Sequence, residues 1–171
     1  MTIAAIELNK AVSKYFIIRE VVRSSTATRL EIDNSPSPEV LENAVALAQT
    51  VLDPIRKQFG SFSPQSWYRS EALEKVITKK GYEAWCRKQG KIVCVDSWKE
   101  YFSRKSHPRG QAADIEILGI SNDYLFDWIS KNIKSYDQLI REFPKAGDPS
   151  SGWVHISYNK ENNRNQKVYI T

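Results

Sequence analysis

Tyr136-Asp137-Gln138-Leu139-Ile140-Arg141-Glu142-Phe143 and Trp153-Val154-His155-Ile156-Ser157-Tyr158 are the two stretches whose reading decides the fold. Both read as β-strands, and the Pro144 to Gly152 connection is rich in Pro, Gly, Asp and Ser, as a hairpin loop should be. If Ile140 stands opposite His155, Glu142 falls opposite Trp153, and cross-strand partners point to the same face. A slip of one residue would bring Asp137 to that face instead. Upstream, Ala113-Asp114-Ile115-Glu116-Ile117 alternates as a further strand. Asn122 to Asn132 reads as a helix with Leu125, Trp128 and Ile129 turned inward.

The first half of the chain reads differently. Ala5, Leu8, Val12 and Phe16 have helical spacing, and Ser24 to Thr28 reads as a polar turn or cap. Asn34 to Glu39 is a loop that offers Ser37 or Ser35 as an N-cap. A strong amphipathic helix then carries Val40, Ala44, Leu47, Ala48, Val51, Leu52 and Ile55 on one face, up to Gly60. Ser61 to Tyr68 reads as extended, Ser70 as the cap of a helix through Ile77, and Tyr82 to Lys88 as helical. Gly90 to Val95 reads as a short strand or a buried connection, with Ser97 and Glu100 as a capping box for a further helix. Trp85, Trp98, Tyr101 and Phe102 could wall a cleft, although aromatics at such spacing are more often core. Helices first and strands later predict a single α+β domain, with a helical part over 1–60 packed against a small antiparallel sheet within 61–171.

Composition narrows the function classes. A net charge of +5 suits an anionic partner, either nucleic acid or a wall polymer carrying carboxylates and phosphates. No block of consecutive Lys and Arg marks a nucleic-acid tail, and no apolar run approaches the length of a membrane span. The N-terminus lacks the pattern of a signal peptide, so we expect synthesis in the cytoplasm. Cys86 and Cys94, with no export signal, are expected to be free thiols.

The chain has two histidines, His107 and His155. Together with Asp114 they would supply three ligands to one zinc ion and leave a fourth position for water, as hydrolytic sites do. His107 sits in a loop leading to the strand of Asp114. Gly110 permits close backbone approach there, and Ala112 and Ala113 leave room beside the metal. His155 lies mid-strand, on the same face as Trp153 and Ser157.

Ser106-His107-Pro108-Arg109-Gly110-Gln111-Ala112-Ala113-Asp114, taken with Gly152-Trp153-Val154-His155-Ile156-Ser157, resembles the paired zinc motif of the D-Ala-D-Ala carboxypeptidase family. That family includes phage endolysins that cut L-alanyl-D-glutamate bonds. Ser66-Trp67-Tyr68-Arg69-Ser70 and Tyr136 to Ile140 are similar to its phage-associated branch. The resemblance implies a hedgehog/D-Ala-D-Ala peptidase-like fold, with His107, Asp114 and His155 holding zinc. Arg69 would bind the substrate and steady the oxyanion, with Ser106 and Trp153 as further substrate contacts. Several members carry a glutamate three residues before the last histidine. Gly152 stands there in this chain, so Glu142, or Asp137 after a register slip, is the expected base. The resemblance further implies a monomer acting on peptidoglycan stem peptides, after release or within a virion, without nucleic acid or membrane as partner. A wall-binding or virion protein of the same fold without turnover, and a nucleic-acid-binding module, are the alternatives.

Overall fold

Four strands form one sheet among residues 7–171, which the computed structural model describes. They are β1 (Ala112–Ile115), β2 (Gln138–Glu142), β3 (Trp153–Ser157) and β4 (Gln166–Ile170), in the order β1-β3-β2-β4. β3 is antiparallel to both neighbours, and its register with β2 sets Ile140 against His155 and Glu142 against Trp153, as the hairpin reading expects. The sheet is mixed rather than antiparallel, because β4 runs parallel to β2 along its outer edge. β4 is largely exposed, with Lys167 on the edge, where a charge discourages further strand addition.

Alternation along the strands divides the sheet into two faces. Ala113, Ile115, Leu139, Val154 and Ile156 point into the main core, and Asp114, Ile140, Glu142 and His155 point the other way. Arg141 lies on the core face with no exposed surface. Its guanidinium donates to Asp123 at 2.8 Å and to the carbonyls of Pro149, Trp153 and Glu142. A buried cation is tolerable there because its N–H groups are met by acceptors.

The core is closed by helices. α1 (Ile18–Val22) and α2 (Ser25–Arg29) are short. α3 (Pro38–Leu47) runs through a π-helical turn (Ala48–Leu52) into α4 (Asp53–Phe59). Pro54 has no N–H for the carbonyl four residues back, and the helix widens just ahead of it. Ala44, Leu47, Ala48, Val51, Leu52 and Ile55 are fully buried, as the amphipathic reading requires, and Ser37 is the N-cap. α8, the helix Asn122–Asn132, packs on β2 and β3 with Leu125 and Ile129 inward.

One helix reading fails. No helix joins Leu8 to Phe16, and Ala5 lies outside the described residues. A 3-10 turn spans Glu7–Asn9, and Ala11 and Ile17 then form a bridge around a bend in which Val12 N–H donates to the Phe16 carbonyl at 2.8 Å. Ser13, held by Asp53, fixes that bend. Val12 and Phe16 are buried through the bend, not on a helix face. Of the two readings of Ser24 to Thr28, a polar turn or a cap, the cap is the one formed: Ser24 accepts the Ala27 N–H and opens α2.

Between Arg69 and His107 the chain makes a helical excursion of its own. α5 (Glu71–Ile77), α6 (Lys79–Lys88) and α7 (Val95–Ser103) surround a second apolar cluster of Tyr82, Cys86, Trp98 and Tyr101, flanked by Trp85 and Phe102. Those aromatics are core, not cleft wall. Gly90 to Val95 is neither strand nor buried connection but an exposed turn. Ser97 does not cap the helix. It is the third residue of α7 and takes the Cys94 N–H on its hydroxyl. Both cysteines are free.

Candidate metal centre

Strand pairing builds the centre. Asp114 and His155 stand directly opposite each other on β1 and β3, so their side chains leave the sheet side by side. His107 arrives from a short 3-10 turn (His107–Arg109) that ends at Gly110, where β1 begins to form. Gly110 is needed at this place because a side chain there would press on the Val40 carbonyl of α3. The ligand-capable atoms of His107, Asp114 and His155 lie within 4.8 Å of one another, and all three residues are buried.

The hydrogen bonds orient each donor. His107 Nδ1 is 2.6 Å from the Trp67 carbonyl oxygen, which can only accept, so Nδ1 carries the proton and Nε2 presents its lone pair. That Nε2 is 3.3 Å from Asp114 Oδ1, and His155 Nδ1 is 2.9 Å from the same oxygen. Ligands 2.0–2.1 Å from a tetrahedral zinc are separated by roughly 3.4 Å. The spacing around Asp114 Oδ1 is close to that. Two imidazole nitrogens and a carboxylate oxygen form a donor set that suits a divalent ion of borderline softness. The triad could therefore hold a metal ion.

Asp114 Oδ2 faces the other way and accepts from Arg69 Nη2 at 2.6 Å. Arg69 is braced in turn by Ser66 at 2.7 Å and Glu74 at 3.5 Å. Three of its N–H groups are thus engaged, leaving about two of the five that a guanidinium has. Burial pushes the Asp114 carboxyl up, but the charges and hydrogen bonds of His107 and His155 outweigh it and leave the group well below the usual range. Burial lowers the pKa of His107, so its imidazole favours the neutral form that a metal requires.

Glu142 completes the group. Its Oε1 is 4.0 Å from His155 Nδ1, the diagonal contact that the β2–β3 register provides. Burial raises its carboxyl above the usual glutamate value. Asp137 does not join the site. Arg164 grips both of its oxygens at 2.6 Å beside β4, and the register that would have turned Asp137 inward is not the one formed.

The centre lies in an open cleft of about 380 Å³, lined by Arg69, Ser106, Glu142 and Trp153 as expected from sequence. Trp153 packs against Phe143, and its indole N–H is out of solvent with no acceptor among the described residues. The excursion supplies a wall that the sequence did not reveal: Glu74 and Ile77 from α5, Thr78 just after it, and Arg104 and Lys105 after α7. Glu74 is 1% exposed and holds Arg69, a role that nothing in its helical setting signals. The Trp67 carbonyl that orients His107 is equally silent, since backbone acceptors leave no mark on composition.

No protein-family model, curated protein or solved structure matches this chain.

Proposed function

We propose that this chain is a zinc-dependent peptidase whose substrate is the stem peptide of peptidoglycan. The observation that carries the reading is Glu142, a half-buried carboxylate beside a His-Asp-His triad at the floor of an open cleft. That is the arrangement hydrolysis needs, with ligands on one side and a proton acceptor within reach of the same space. Zinc, when bound, supplies Lewis acidity toward a carbonyl oxygen and makes nearby water more acidic. Glu142 takes a proton from the attacking water. The water oxygen bonds to the carbonyl carbon, the C–N bond breaks, and Glu142 returns the proton to the leaving amine. The uncommitted N–H groups of Arg69 are donors for substrate oxygens. The choice of substrate rests on the resemblance of residues 106–114 and 152–157 to the zinc carboxypeptidase motif, and a basic chain suits a polyanionic wall.

Mass spectrometry of muropeptides after digestion of purified peptidoglycan tests this reading. Wild type should release new amine termini, His107→Ala should release none, and Glu142→Gln should be slower by about 10²–10⁴-fold with its zinc retained. Stoichiometric zinc with no released amines in the wild type would sink the enzyme reading. Undiminished cleavage by Glu142→Gln would remove Glu142 as the base.

A further inference from the structure

Away from the cleft, the turn between α6 and α7 exposes what a folded protein usually hides. Ten consecutive residues, Arg87 to Asp96, are all exposed. Among them Ile92, Val93 and Val95 keep 78%, 61% and 67% of their surface open to solvent. This is not a loose segment. The Ile92 carbonyl accepts from Ser97 Oγ at 2.7 Å, and the Cys94 N–H donates to Ser97 Oγ at 3.0 Å. The Cys94 carbonyl accepts from the Tyr82 hydroxyl at 2.8 Å, and the Lys91 N–H donates to the Cys86 carbonyl at 2.9 Å. Four backbone polar groups of the turn are thus held by the fold, while three β-branched side chains are exposed.

The surroundings are cationic. Residues 71–105 hold nine Lys and Arg against five Asp and Glu, a net charge of +4 out of the chain's +5. At the tip itself Glu100 pairs with Lys91 and Arg104. Arg87 and Lys88 make no ion pair among the described residues, and Asp96 is the only acid in the exposed run.

We infer that this tip is a docking element for an anionic lipid bilayer. Three features select that occupant. A protein partner needs roughly 800 Å² of complementary surface per side, whereas three side chains on a convex turn offer neither the area nor a groove. A fluid interface accepts a protruding apolar tip of any shape, and each backbone polar group that the fold already satisfies lowers the cost of entry. Unpaired Arg87 and Lys88 behind the tip match a negative surface, each strengthening binding by about five-fold. Among the described residues no helix is long and apolar enough to cross a membrane. The inference is independent of the metal centre.

The test attaches a polarity-sensitive fluorophore to Cys94, the exposed thiol at the tip, in the full chain; Cys86 is buried. Vesicles of phosphatidylglycerol and of phosphatidylcholine are then compared in about 0.1 M salt, with sedimentation of the unlabelled protein alongside. The expected result is a blue shift and co-sedimentation with phosphatidylglycerol only. Ile92→Asp/Val93→Asp should abolish both, and Arg87→Gln/Lys88→Gln should weaken binding by about 25-fold. Because all four residues are exposed, thermal melting should stay unchanged in either double variant. No binding to phosphatidylglycerol, binding without a shift at Cys94, or binding unaffected by Ile92→Asp/Val93→Asp would each overturn the inference. So would a wild-type dimer that the same variant converts to monomer, since the tip would then cover a second copy.

Discussion

Replacing Gly152 by alanine should damage the site without touching any of its side chains. Gly152 has φ +63°, and a Cβ built on it would lie 1.9 Å from the Glu142 carbonyl oxygen and 2.7 Å from that of Phe143. Contacts under 3.0 Å are essentially never tolerated, so the hairpin must open by about an ångström at the residue that carries the proposed base. A left-handed alanine costs about 1 kcal/mol, and forcing a close-packed backbone apart costs a further ~1–3 kcal/mol. The sum of about 2–4 kcal/mol corresponds to a melting temperature lower by about 4–16 °C for a chain of this size. Gly147 is the control. It has φ +79° with nothing within 4 Å, so Gly147→Ala should pay only the conformational cost. Thermal denaturation followed by circular dichroism separates the two, and peptidoglycan digestion reports the displacement of Glu142. Equal melting temperatures for the two variants would refute the clash argument. The same contact explains why no larger residue, glutamate included, could stand at 152 in this hairpin.

Stability of the metal-free protein should depend on pH through His107. Burial depresses its pKa below the ordinary 6.5, so the unfolded chain binds a proton that the folded chain does not. The associated stability is present above 6.5 and is lost as pH falls toward the folded value; melting curves from pH 7 to 5 should show the decline, and a flat profile in this window would contradict it. Asp114, also depressed, acts with the same sign below its ordinary 3.8. Arg141→Ala should cost about 3 kcal/mol in urea denaturation, because several carbonyls of the β2–β3 hairpin lose their buried donor. A cost under about 1 kcal/mol would mean that water replaces the guanidinium freely. Asp137→Asn should lower stability by no more than about 1 kcal/mol and leave zinc affinity unchanged, as suits a residue that ties β4 to the sheet. A loss of zinc binding in that variant would return Asp137 to the site.

The hairpin was legible because two alternating runs flank a loop of turn residues, but its register was not: the sequence offered Glu142 or, after a one-residue slip, Asp137. The pairing formed buries Leu139, Val154 and Ile156 together and sets Glu142 near His155. The α3–α4 face was legible too, since its spacing is sustained over about four turns. Leu8, Val12 and Phe16 misled because two residues four apart can be buried by a bridged bend as well as by a helix. Ile92, Val93 and Val95 have the composition of a strand, yet among the described residues no strand pairs with them. β4 carries almost no burial signal, being an exposed edge whose partner is chosen by Arg164 and Asp137. Glu74 and the Trp67 carbonyl act through positions that only tertiary structure creates.

The excursion over residues 70–106 leaves the body at Arg69 and returns at His107, and both of those residues converge on the carboxylate of Asp114. It has a small aromatic interior of its own and contributes one wall of the cleft. On the proposed reading, the excursion would select what enters and the sheet would carry out the chemistry, with Glu74, which braces Arg69, as the link between them. The wall could then lengthen or change while the triad on the sheet stays as it is, provided that Glu74 is kept.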